Sequence, residues 1–138
     1  MPQVVTRWAL LGAPDNRLTT SPYVKYYQGV KIVTEKHLKE VAETYKDAAE
    51  EIGAWKKIVK GVRWRNFEDV KAIFSDADPV EGYVVFAFRN NRYRLITVIH
   101  YVKTIDGRVT QGRVFIRSFL THKEYDNPKK WDPFGRKK

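Results

Sequence analysis

The stretch YVVFAFRNNRYRLITVIHYVKTIDGRVTQGRVFIRSFL, Tyr83 to Leu120, decides the fold. Its first six residues are apolar or aromatic and, ending at Arg89, suit a strand, and Asn90-Asn91 can take the left-handed backbone of a tight hairpin turn. YRLITVIHYV then forms a second strand, TIDGRVTQG a loop and RVFIRSFL a third strand, so the C-terminal half is an antiparallel meander.

The pattern changes period upstream. VKIVT, from Val30, is a short strand after which Thr34 can cap a helix. Leu38, Val41, Ala42, Tyr45, Ala48, Ala49, Ile52, Trp55, Ile58 and Val59 recur at the three and four spacing of one helical face. Asp47 is placed to cap a second helix, which favours a helical hairpin breaking near Lys46 over one long helix. Gly61 stops this region. NFEDVKAIF adds a short helix capped by Asn66, with Phe67, Val70, Ile73 and Phe74 inward, and SDADPVEG is a loop. The expected fold is α+β: a small antiparallel sheet, made of the N-terminal strand and the three-strand meander, packed on a helical hairpin and a short helix. Residues 1–29, with Pro2, Gly12, Pro14, Pro22 and Gly29, form an extension, 30–126 the domain, and 127–138 a basic tail.

A chain of 138 residues supports one domain with its own core, and 43% hydrophobic content with 14% aromatic argues against disorder despite 30% charged residues. The absence of cysteine removes disulfide scaffolds, thiolate zinc sites and thiol nucleophiles together. No apolar run approaches the roughly 18 residues of a membrane span, so a cytoplasmic protein without membrane attachment is expected. The net charge of +10 points to an anionic partner. Residues 34–60 are balanced, six basic against six acidic, whereas 83–126 hold eight basic side chains against three acidic, mostly arginine, whose planar fork suits phosphate.

Alternation on the last strand sends Val114, Ile116 and Leu120 towards the helices and Arg113, Phe115, Arg117 and Phe119 to the other face. Arginine interleaved with phenylalanine can neutralise phosphates and stack bases. A minor core under the tail, with the arginines snorkelling outward, is the commoner role for such phenylalanines. The strand runs into His122, Lys123, Glu124 and Tyr125. Cleaving RNA without a metal requires a base for the ribose 2′-OH, charge stabilisation at phosphorus and an acid for the departing 5′ oxygen. Histidine titrates near pH 6.5 and can act in either sense, each positioned acid or base contributing about 10²- to 10⁴-fold. His37, His100 and His122 show no metal-ligand spacing, so neither a metal nor another cofactor is expected.

From about Val30 to Asp126 the chain resembles the HigB-type toxins of bacterial toxin-antitoxin modules, in the RelE/ParE superfamily. VKIVTEKHLKE, AWKKIVKGVRWRNFEDVKAIFSDAD, YVVFAFRNNRYRLI and RSFLTHKEYD carry the likeness in order. The resemblance implies a RelE-like fold and a metal-independent mRNA interferase acting on ribosome-bound mRNA. It also implies a cognate antitoxin, HigA-like and of helix-turn-helix type, in a toxin-antitoxin hetero-oligomer. Carried over by position, Arg94, Arg117, His122, Lys123 and Tyr125 are the expected catalytic residues. Asn91, Arg92, Arg113 and Phe119 are the expected RNA contacts, Asn91 being equally suited to a turn role. A gyrase-inhibiting toxin of ParE type and a silent RNA-binding or antitoxin-docking module are the alternatives.

Overall fold

The computed structural model describes residues 29–132. The extension up to residue 28 and the last six residues of the tail lie outside the described residues. Gly29 already belongs to the domain, because a Cβ there would sit 1.7 Å from the Lys60 carbonyl oxygen.

Strand β1 (Lys31–Val33) is followed by helix α1 (Glu35–Thr44), a 3-10 turn (Lys46–Ala48) and helix α2 (Ala49–Lys60). The helical hairpin therefore breaks where expected, but neither expected cap acts as one. Thr34 adopts a left-handed backbone and its hydroxyl bonds the Val33 carbonyl. Asp47 turns away to accept hydrogen bonds from Arg92 and Tyr93, leaving Ala48 at the α2 N-terminus without a side-chain cap. Glu35 ties the two helices together through Lys56 at 3.2 Å and Lys60 at 2.9 Å. Helix α3 (Phe67–Ile73) begins at Asn66, whose side chain accepts from the Asp69 amide. Val70 and Phe74 are fully buried beside it.

The sheet has five strands in the order β1-β7-β4-β3-β2, with β2 (Asp78–Val80), β3 (Tyr83–Phe88), β4 (Tyr93–His100) and β7 (Arg113–Thr121). Strand β2 lies inside the stretch expected to be a loop. It is three residues long and contains proline, and it is held as an edge strand by Tyr83–Val85. The sheet is also not wholly antiparallel, since β1 runs parallel to β7. The expected loop after β4 contains a two-stranded ribbon, β5 (Thr104–Ile105) and β6 (Arg108–Val109), turned by Asp106-Gly107 with both residues at positive φ. Arg89, Asn90 and Asn91 likewise take positive φ in the β3–β4 hairpin.

The helices cover one face of the sheet. Trp55 and Phe86 meet edge to face at 5.3 Å, and Phe74 packs on Phe86 at 5.2 Å. Fully burying each such ring is worth roughly 1.5–3 kcal/mol. Strand β7 contributes Val114, Ile116 and Phe119 to this core. The expected alternation thus holds through Arg117 and then inverts, because the β4–β7 register slips between Ile96 and Thr97: Thr97 pairs with Ile116 but Ile96 with Ser118. Arg117 is the extra residue of a β-bulge. Beyond it Phe119, not Leu120, points inward and stacks on Tyr93 at 5.2 Å, with Tyr45 at 5.6 Å and Phe88 at 5.8 Å. Among the described residues no helix is long and apolar enough to cross a membrane.

Candidate active site

On the sheet face away from the helical hairpin, a cleft of about 290 Å³ is lined by Lys71, Asp76, Ala77, Asp78, Val85, Ala87, Asn91, Arg94 and Tyr125. Three local structures converge on it. The β3–β4 hairpin presents Arg94, whose partner across the pair is Ala87, so a small side chain leaves room for the guanidinium. Arg94 Nη1 donates to the Asn91 carbonyl at 2.6 Å, which aims the side chain along the turn. The segment from α3 to β2 brings Lys71, Asp76 and Asp78, with Lys71 Nζ donating to the Ala77 carbonyl at 2.9 Å. The third wall is Tyr125 on the one-turn helix α4 (His122–Tyr125), where the Arg94 guanidinium carbon lies 5.3 Å from the ring centre.

THKEYD folds as it does because Thr121 and Glu124 close a capping box: the Thr121 side chain accepts from the Glu124 amide and the Glu124 carboxylate from the Thr121 amide. The His122 amide donates to the Arg92 carbonyl at 2.8 Å, anchoring the start of α4 to β4.

The electrostatics separate the groups. Burial, assisted by Asp78, pushes the Tyr125 phenol further above its ordinary value, at which it is already protonated at neutral pH. Burial also raises the Asp76 carboxyl, against the opposing pull of Lys71 and Arg94. A phenol that keeps its proton, a carboxyl moved towards neutrality and an arginine fork in one cleft can donate a proton, accept one and hold an anion.

Of the expected catalytic residues, Arg94 and Tyr125 line the cleft. His122 is exposed on the far end of α4, its Nδ1 3.1 Å from Asp126 Oδ2, and Lys123 is exposed beside it. Arg117 sits in the bulge one strand over from Arg94 and outside the lining.

Among the expected RNA contacts, Asn91 lines the cleft and also supplies the turn. Arg92 leaves this face: its guanidinium pairs with Asp47 at 2.8 Å on the helical side. Arg113 pairs with His100 six residues along β4 from Arg94, roughly 20 Å away at about 3.3 Å per residue. It lines a different groove with His100, Lys103 and Gln111. Phe119 is buried among Tyr45, Phe88 and Tyr93 and has no face to offer a base, since the bulge turns it into the core. Lys71, Asp76 and Asp78 escape the sequence reading because they flank a stretch whose strand character depends on pairing with β3. The one signal available was the acidic pair within SDADP, next to a helix ending in the basic part of the fold.

A family model described as HigB_toxin, RelE-like toxic component of a toxin-antitoxin system, matches residues 48–128, which contain Arg94, Asp76 and all of α4. The chain is also similar to a protein named mRNA interferase toxin HigB from Escherichia coli (strain K12) and to one named mRNA interferase HigB from Shigella flexneri. Each is 26% identical over 98 residues, 69% of this chain and 86% of the relative. With more than half its length matched, including every wall of the cleft, the chain belongs to the family of HigB toxins, the RelE-like toxic components of toxin-antitoxin systems.

Proposed function

We propose that the protein is an endoribonuclease toxin that cuts mRNA on the ribosome in the cleft between Arg94 and Tyr125, and that a cognate antitoxin holds it inactive. The observation that carries this reading is the contact between a guanidinium and a protonated phenol in one open cleft of a basic protein. The names of the relatives support the same activity.

In this reading Arg94 binds the scissile phosphate and stabilises charge on the pentacoordinate phosphorus. The neighbouring ribose 2′-OH attacks that phosphorus. Tyr125 donates its proton to the departing 5′ oxygen, a role that suits a phenol with a raised pKa better than a base role would. The products are a 2′,3′-cyclic phosphate, or the 3′-phosphate formed from it, and a 5′-OH. Two groups compete to take the 2′-OH proton: His122, one helical turn from Tyr125, and Asp76 in the cleft wall. Lys71 and Lys123 add positive charge on either side of the substrate path.

The test compares Tyr125→Phe and His122→Gln at matched soluble expression, scoring growth arrest, mRNA cleavage on translating ribosomes and gyrase supercoiling. Tyr125→Phe removes only the hydroxyl, and cleavage should fall by at least about 10²-fold. Full activity from both variants would move the chemistry elsewhere, and inhibition of supercoiling without RNA cleavage would favour the gyrase-inhibiting alternative.

A further inference from the structure

Helix α4 has four residues and none of them is fully buried, so it cannot by itself hold a side chain in one geometry. Its Tyr125 is nevertheless packed. The ring that packs it belongs to Trp131, which lies 6.1 Å away at an interplanar angle of 21°. Trp131 also meets Tyr83 of β3 edge to face at 5.0 Å and 73°, and so bridges the short helix and the sheet. The chain reaches this position through a turn built on Asn127. Its amide donates to the Glu124 carbonyl, its carbonyl accepts from the Lys130 and Trp131 amides at 2.9 Å each, and its side-chain oxygen accepts from the Lys129 amide at 3.0 Å. Trp131 stands beyond residue 128, where the family match ends.

We propose that the segment Asn127–Asp132 is a brace for the cleft and that Trp131 is a positioning residue for Tyr125. Trp131 holds the phenol against Arg94 and keeps solvent from the ring. Residues 127–132 are thus a working part of the site and not only part of a basic appendage. Their effect on cleavage rests on the reading of Tyr125 given above, whereas their effect on the Tyr125 ring does not.

The experiment uses the full chain with ring-labelled tyrosine, the Tyr125 signal being assigned by its loss in Tyr125→Phe, and follows Trp131→Ala and Trp131→Phe. Trp131→Ala should shift the Tyr125 signal towards that of a solvated tyrosine. Cleavage should fall about tenfold in kcat with KM little changed, as expected when one aromatic pair ceases to fix a reacting group. Trp131→Phe restores a flat ring and should recover most of both. A Tyr125 signal unchanged in folded Trp131→Ala overturns the brace whatever the activity. A displaced ring with undiminished cleavage upholds the brace and counts instead against Tyr125 as the acid. If Trp131→Ala fails to fold, the comparison passes to Asn127→Ala, which loosens the turn and leaves the indole in the chain; an undisturbed Tyr125 there is equally fatal.

Discussion

Replacing Arg94 by alanine separates a site at this cleft from a diffuse basic surface. Among the described residues the Arg94 side chain makes one hydrogen bond, to the Asn91 carbonyl at 2.6 Å, and one ring contact, with Tyr125 at 5.3 Å. Water can replace the lost donor at that exposed carbonyl, so the fold should lose no more than about 1 kcal/mol. Catalysis should lose a charge-assisted contact to phosphate, about 1.5–3 kcal/mol, or roughly 10- to 150-fold. Lysine at this position keeps the charge without the fork and should recover only part of that. Arg113 is the internal control. At roughly 20 Å along the strand it lies well beyond the Debye length of about 8 Å, and Arg113→Ala should change cleavage by less than about threefold. The assay is single-turnover cleavage of end-labelled mRNA on translating ribosomes, with thermal melts of each variant. Equal losses from Arg94→Ala and Arg113→Ala, with unaltered melting, would refute a localised site and restore a spread-out electrostatic surface.

Three further outcomes follow from the packing and the charges. Phe119→Ala should destabilise the fold by about 3–5 kcal/mol in chemical denaturation, as for a core ring; a change within about 0.5 kcal/mol would return Phe119 to the surface. Asp76 has its carboxyl raised by burial, so its contribution to stability is full below the unfolded pKa and lost as pH rises through the folded one. Asp76→Asn should therefore melt at or above the parent near neutral pH, converge with it in acid and cleave more slowly; a lower melting temperature at neutral pH would contradict this. Burial pushes the Asp47 carboxyl up, but hydrogen bonds from Tyr93 and Arg92 outweigh it and hold the group below the usual carboxylate range. Its stabilisation is present above the unfolded pKa of about 3.9 and lost as pH falls through the folded value. Denaturant midpoints measured from about pH 6 to about pH 2 should show the parent's advantage over Asp47→Asn shrinking in acid, and a gap that stays constant would be inconsistent with the pairing.

What could be read from the residues depended on how local the deciding interaction was. The break between α1 and α2, the Asn66 cap and the asparagine hairpin are set within a few residues and are legible. The pairing of β1 with β7 is parallel and joins segments some eighty residues apart, which periodicity cannot register. Asp78–Val80 becomes a strand only because β3 is there to pair with it. Arg94 and Tyr125 were within reach because each stands in a block, YVVFAFRNNRYRLI and RSFLTHKEYD, that carries the family likeness. Asp76 and Lys71 were not, since the fold alone brings α3 to the same wall. Arg92 illustrates the opposite case: two residues from Arg94 it would share that face on a regular strand, but it lies in the hairpin turn before β4 begins, and its guanidinium pairs with Asp47.

The bulge at Arg117 makes β7 behave like a text with a shifted reading frame. Upstream of it one parity of residue numbers is interior, and downstream the other. Were the strand to pair without the bulge while keeping all its residues, Leu120 would turn inward, Phe119 would leave its aromatic neighbours, and the start of α4, with Tyr125, would turn relative to Arg94. Deleting Arg117 instead restores strict alternation with Phe119 still inward, because Ser118 then follows Ile116 in the pairing with β4. A one-residue gap here, which shifts every later residue number, therefore leaves the faces beyond it unchanged. Relatives that differ in length at this point should be compared by face, not by position.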